Sequence, residues 1–125
     1  MPSEKRQFGD ICEKVACRHL AKRGFKVLER NYRKKWGEID IIAQNKESLC
    51  FIEVKGSRFS MDDHRPEENV HMWKTKRLWR AIQTWFIEHP DYEDFEWQVD
   101  IMAVLVDFNA KKAKIRWTKN VILEQ

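Results

Sequence analysis

Glycine, proline and cysteine are all scarce in this 125-residue chain, at 4, 3 and 3 residues. So few glycines and prolines exclude a collagen-like or low-complexity segment, and no stretch reads as a linker or an internal repeat. Three cysteines, Cys12, Cys17 and Cys50, cannot all pair with one another, and none forms a C-x-x-C. Each sits in an apolar-periodic stretch, so they read as reduced, buried small hydrophobes rather than a zinc site or a disulfide framework. Long hydrophobic runs are missing as well. Nothing approaches the roughly 18 apolar residues of a membrane span, so no membrane association is expected. The opening MPSEKRQFGD carries charge with no apolar stretch behind it, unlike a secretory signal, and the expected address is cytoplasmic.

What is present is the composition of a soluble globular protein, 42% hydrophobic and 35% charged. The length suits one domain, residues 1–125, with one core. A net charge of +4 and a pI near 9.0 hint at a polyanionic partner. Basic residues cluster at 30–35, with Arg33, Lys34 and Lys35, and at 74–80, with Lys74 and Arg77. Either cluster alone reads as a solvated face.

The order of elements is α/β. Ile11, Cys12, Val15, Ala16 and Leu20 give residues 10–23 a helical period, closed by Lys22, Arg23 and Gly24. Residues 26–32 suit a first strand, and Glu38–Gln44 and Leu49–Lys55 suit two more around the turn-like 45–48. A polar loop is expected over 56–65. A second helix is expected from Pro66 or Val70 to His89, with Val70, Trp73, Arg77 or Leu78, Ala81, Ile82, Trp85 and Phe86 inward and Pro90 as its stop. WQVDIMAVLV, residues 97–106, reads as a central strand, followed by a turn at 107–111 and a short strand near 113–117. Most of the six tryptophans are expected in the core. Asp100, inside an apolar strand, needs a partner, expected to be a basic one such as Arg33 or Lys74.

The chemistry lies in the hairpin, where alternation sets the register. Glu38 and Asp40 share one face, with Ile39 and Ile41 on the other; Phe51, Glu53 and Lys55 share a face, with Cys50, Ile52 and Val54 opposite. Keeping the apolar sets on one side requires an even loop, either Lys46–Glu47 or Asn45–Ser48. Asp40 then falls opposite Glu53, and Glu38 opposite Lys55, giving three carboxylates and one lysine in a patch. Carboxylates facing each other across a ladder repel, and a hard divalent cation, Mg²⁺ or Mn²⁺, would compensate. Lys55 beside it could orient or deprotonate a water, or neutralise charge on a phosphate. On an exposed strand, the same Glu-x-Lys is ordinarily a solvated ion pair of small worth.

The segments Glu29-Arg30-Asn31-Tyr32-Arg33, Gly37-Glu38-Ile39-Asp40-Ile41-Ile42 and Phe51-Ile52-Glu53-Val54-Lys55 resemble the central signature of the YraN family. The match extends upstream through Gly9, Glu13, Ala16, Leu20 and Gly24, and downstream through Val70, Lys74, Leu78 and Asp100. The resemblance implies a restriction-endonuclease-like three-layer α/β fold, with a mixed sheet of about five strands flanked by helices. It implies metal-dependent cleavage of nucleic-acid phosphodiesters, with Asp40 and Glu53 as metal ligands and Lys55 assisting the water and phosphate. The family is similar to archaeal Holliday-junction resolvases, which implies a place for the helical Glu13 in the site and a homodimer. From the residues alone, Glu13 reads equally as the partner of Asp10 in a helix capping box. The expected partner is nucleic acid, DNA before RNA, with a structure-selective target in repair or recombination. Arg33, Lys34, Lys35, Arg58, Lys74 and Arg77 would position its backbone. The alternatives are a nucleic-acid-binding module without hydrolysis and a subunit of a DNA-processing complex.

Overall fold

The structure, a computed structural model, describes residues 2–58 and 72–121. Helix α1 spans Glu4–Lys22, six residues longer at its start than the apolar period alone requires. Ser3 explains the extension: its side chain accepts the Arg6 N–H at 3.2 Å, and acidic Glu4 occupies the first turn. Cys12, Ala16 and Leu20, one turn apart, form its buried stripe. The helix stops at Gly24, whose φ of 85° lets Phe25 N donate to Leu20 O and Gly24 N to Ala21 O.

Strands β1 (Lys26–Lys34), β2 (Gly37–Asn45) and β3 (Ser48–Arg58) form an antiparallel meander. Helix α2 (Met72–Glu88) carries the chain to β4 (Glu96–Asp107), which pairs parallel with β3, and β5 (Lys112–Thr118) returns antiparallel to β4. The sheet order is β1-β2-β3-β4-β5, so β3 is the middle strand and β4 lies inside β5. Residues 56–58 continue β3 rather than opening a loop. The expected loop over 59–65 and helix start at Pro66 or Val70 lie outside the described residues.

Each sheet face has its own core, which makes the fold three-layered. Under α1, Cys12, Ala16 and Leu20 pack on Ile41, Ala43, Cys50, Ile52, Met102 and Val104. Under α2, Leu78, Ala81, Ile82 and Trp85 pack on Tyr32, Ile39, Ile42, Leu49 and Phe51. The three-layer α/β arrangement anticipated from the sequence, a mixed sheet of five strands flanked by helices, is the one formed. No helix among the described residues is long and apolar enough to cross a membrane.

Three sequence readings are corrected. Ile39 and Ile41 do not share a face: Ile39 lies in the α2-side core and Ile41 in the α1-side core. Among the described tryptophan side chains, only Trp85 is fully buried, while Trp36 and Trp97 are exposed. Asp100 is buried against neutral donors rather than Arg33, and the side chain of Lys74 lies outside what the structure describes. The Asp100 oxygens accept from Trp117 Nε1, Gln98 Nε2 and Asn120 N, each at 2.8 Å.

Candidate functional site at the opening between β2 and β3

A two-residue turn, Lys46–Glu47, joins β2 to β3, with Lys46 at φ 57°. The pairing runs from Asn45–Ser48 to Ile41–Ile52. One more step of that register brings Asp40 to Glu53, and there the ladder gives way to a side chain. Asp40 Oδ2 accepts the Val54 N–H at 2.8 Å. Its carboxylate therefore stands beside the Glu53–Val54 peptide.

The local cause lies in β1. Asn31, between the pairs Arg30–Ile41 and Tyr32–Ile39, has φ 53°, a left-handed conformation that asparagine tolerates. The turn of backbone there sends Arg30 towards α1, and Tyr32 into the core beneath α2. Ile39 and Ile41 follow their partners to opposite faces, and Asp40 occupies the crossover between them.

Strand β3 is regular by contrast, paired with β4 without interruption from Ser48–Glu96 to Arg58–Val106. Alternation therefore holds. Ile52 and Val54 face α1, and Glu53 and Lys55 share with Phe51 the face towards α2. Glu53 is only 4% exposed, and Lys55 Nζ lies 3.4 Å from its Oε1. A carboxylate this deep requires compensation, and the lysine supplies part of it.

The other expected members go elsewhere. Glu13 is buried on α1, where its Oε1 lies 3.4 Å from Arg30 on the face away from Glu53 and Lys55. It is not half of a capping box either, because α1 begins at Glu4 and Asp10 is an interior helical residue. Glu38 Oε2 lies 3.5 Å from Arg33 Nε. The patch of three carboxylates is thus reduced to Asp40 and Glu53. Among the described residues, no group of three or more His, Cys, Asp or Glu side chains could hold a metal.

The proposed backbone contacts are spread over the molecule. Arg33 and Lys35 are exposed near the β1–β2 turn. Lys34 is drawn 2.9 Å from Glu88 on α2. Arg58 is sandwiched by Phe8 and Phe108, its guanidinium 5.3 and 4.9 Å from their ring centres. Arg77 is exposed on α2, and Lys74 lies on the first turn of that helix.

Sequence reasoning missed two features around the site. Gly37 lets α2 approach β2: a Cβ there would lie 1.9 Å from the Arg77 carbonyl oxygen. Gly56 does the same for α1, with Cys12 Sγ 2.6 Å from where a Cβ would be. Burial, with Glu13 beside it, pushes the Cys12 thiol up to about 11, so this sulfur is packing material and not a nucleophile. Gly37 begins the very segment that carries Asp40, but nothing in the sequence shows which helix lies over it.

Comparison with known proteins bears on the whole chain. The profile of "Uncharacterised protein family UPF0102" matches residues 12–104. A UPF0102 protein of Coxiella burnetii is 34% identical over 122 residues, covering 98% of this chain and 97% of its own. One of a Synechococcus species is 34% identical over 109 residues, 87% of this chain and 88% of the relative. One of Nitrobacter winogradskyi is 37% identical over 96 residues, 77% and 79%. Among solved structures, "The structure of Pyrococcus Furiosus SfsA in complex with Ca2+" is similar at a TM-score of 0.42 and 10% identity, covering 92% of this chain and 63% of the other.

Proposed function

The chain belongs to the uncharacterised protein family UPF0102, and from that premise and the hairpin geometry we propose that it is a metal-dependent nuclease hydrolysing nucleic-acid phosphodiesters. The observation that carries the reading is the Asp40 carboxylate, hydrogen-bonded at 2.8 Å to the peptide that follows a buried Glu53, with Lys55 3.4 Å from that glutamate. Asp40 is spent on one strand-to-strand hydrogen bond where an ordinary backbone pair would do. A neutral side-chain oxygen would serve that bond as well, so the fold does not need the charge of the half-buried Asp40.

The donor set fits a hard cation. Two carboxylates from adjacent strands supply only oxygen, and Mg²⁺ is ordinarily held by one or two carboxylates, with waters and substrate phosphate completing its shell. Asp40 and Glu53 would hold it. When bound, it would acidify a water and offset charge building on the phosphate. The remaining work falls to the chain's own residues. The Val54 N–H fixes the direction of Asp40. Lys55 keeps its ammonium beside the Glu53 carboxylate, where it would hold a non-bridging phosphate oxygen and stabilise the added charge of in-line attack. Exposed Arg33 and Lys35 would contact the nucleic-acid backbone without reading sequence.

One observation favours a second reading, a nucleic-acid-binding module without hydrolysis: Glu13 is held by Arg30 rather than turned towards Glu53. The two are separated by titrating Mg²⁺ and Mn²⁺ over branched, single-stranded and duplex DNA and over RNA. The expected result is cleavage that needs the metal and falls at least ~100-fold in Glu53→Ala and in Lys55→Ala. Binding unaffected by either substitution, with no cleavage by the wild type under any condition, would establish the module instead.

A further inference from the structure

On the opposite face of the sheet from Glu53 and Lys55, α1 and the β4–β5 hairpin enclose an open groove of about 610 Å³. Its two walls are basic. Arg18 and Lys22, one helical turn apart, stand on the α1 side, and Lys111 and Lys112 on the hairpin side. All four are exposed. Asp107 is the one carboxylate among the lining residues, and its Oδ1 is occupied by the hairpin turn, accepting Asn109 N at 3.0 Å and Ala110 N at 3.1 Å. His19 in the same wall has its pKa lowered, by burial first and then by the neighbouring Arg23 and Lys22.

The floor is apolar, with Val15 and Val106, and Phe108 at the rim is 46% exposed. Opposed cations above an apolar floor, with the half-exposed ring of Phe108 at the rim beside Arg58, match the chemistry of a single nucleic-acid strand: phosphates outward to the cations, bases against ring and floor. A folded acidic partner would need no ring. The groove is also close to the proposed site along the chain. Phe108 contacts the guanidinium of Arg58, which lies three residues beyond Lys55 on β3, about 10 Å at the rise of a strand.

We propose that the α1–hairpin groove is a second nucleic-acid site, which holds a single strand passing around the carboxyl ends of β3 and β4. It rests on the reading of the chain as a nucleic-acid enzyme only for the direction of that path; the groove's affinity stands on its own residues.

The test is fluorescence anisotropy of the full chain with a labelled single-stranded oligonucleotide in EDTA, across a range of salt. Arg18→Ala/Lys22→Ala and Lys111→Ala/Lys112→Ala are each expected to weaken binding about tenfold or more. Each should also flatten the salt dependence by about 1.4 in log–log slope, two phosphate contacts' worth. Lys26→Ala/Lys46→Ala removes the same charge from exposed positions elsewhere and is expected to leave the slope unchanged. Phe108→Ala should weaken the oligonucleotide about tenfold while leaving inorganic polyphosphate unaffected. Equal losses in the control pair overturn the proposal. So does polyglutamate competing as well as the oligonucleotide, or a silent Phe108→Ala. Cleavage by the wild type with groove variants that bind normally removes this inference alone. Groove binding without cleavage by any variant removes the nuclease reading alone.

Discussion

The hydrogen bond that Asp40 makes and the metal ligation proposed for it can be separated by substitution. Asparagine keeps an oxygen to accept the Val54 N–H and loses the charge; alanine loses both. Asp40→Asn is expected to fold within about 1 kcal/mol of wild type, and Asp40→Ala to lose about 1–3 kcal/mol for a part-buried N–H left unsatisfied. Both should lose Mn²⁺ affinity in calorimetry. Urea denaturation of the pair decides the structural half, and retained Mn²⁺ binding in Asp40→Asn would remove this carboxylate from the metal site. The glycines give a second residue-scale contrast. Gly37→Ala would drive a methyl into the Arg77 carbonyl and is expected to cost about 1–3 kcal/mol or more. Gly9→Ala, in the interior of α1 with nothing within 4 Å of the added carbon, is expected to stabilise by about 0.5–1 kcal/mol.

At the scale of elements, α2 is tied to β1 by a small charged cluster. Glu88 on the last turn of α2 accepts the Tyr32 hydroxyl and lies 2.9 Å from Lys34 Nζ. Both contacts favour the carboxylate, so the Glu88 pKa is lowered on folding, with the Tyr32 hydrogen bond the larger cause. A lowered acid contributes stability that is present above the ordinary carboxylate range and is lost as pH falls through its folded value. Denaturant midpoints taken at about pH 6 and about pH 3 should therefore converge more closely for Glu88→Gln than for wild type. An undiminished acid-side loss in the variant would assign the effect to other carboxylates. Asp100 ties β4 to β5 more deeply, and Asp100→Ala, which strands three donors, is expected to cost at least about 3 kcal/mol in the same measurement.

These elements also show where the sequence is legible. Cys50, Ile52 and Val54 alternate with Phe51, Glu53 and Lys55, and the even turn between β2 and β3 follows from burying both apolar sets. The register that aligns Asp40 with Glu53 was readable on that basis. The reversal at Asp40 was not, because it depends on one left-handed residue, Asn31, in the neighbouring strand, and asparagine is as common in turns as in this conformation. Asp100 drew a basic partner in the sequence reading because charge suggests charge. The structure satisfies it with an indole, an amide and a backbone N–H that sequence separation conceals.

Across the whole molecule the three thiols are free and shielded to different depths. Burial raises all three pKa values, pushing Cys12 up to about 11 and Cys50, next to Asp100, up to about 12. A raised thiol pKa leaves less of the reactive thiolate at neutral pH. Native protein treated with iodoacetamide is expected to be modified first at half-buried Cys17, with Cys12 and Cys50 reacting only when denaturant opens the core. Peptide mass spectrometry against time reads the order, and early labelling of Cys50 would contradict the packing of its strand.

Strand β5 closes one side of the sheet with Lys112, Lys114 and Arg116 at every second position. A copy of the chain trying to extend the sheet through that margin would meet a strand rich in basic residues, a device by which natural edge strands avoid sticking to one another. Of the two margins of the sheet, β1 and β5, the second is thus the one guarded by charge, and low salt should discourage pairing there more than high salt does.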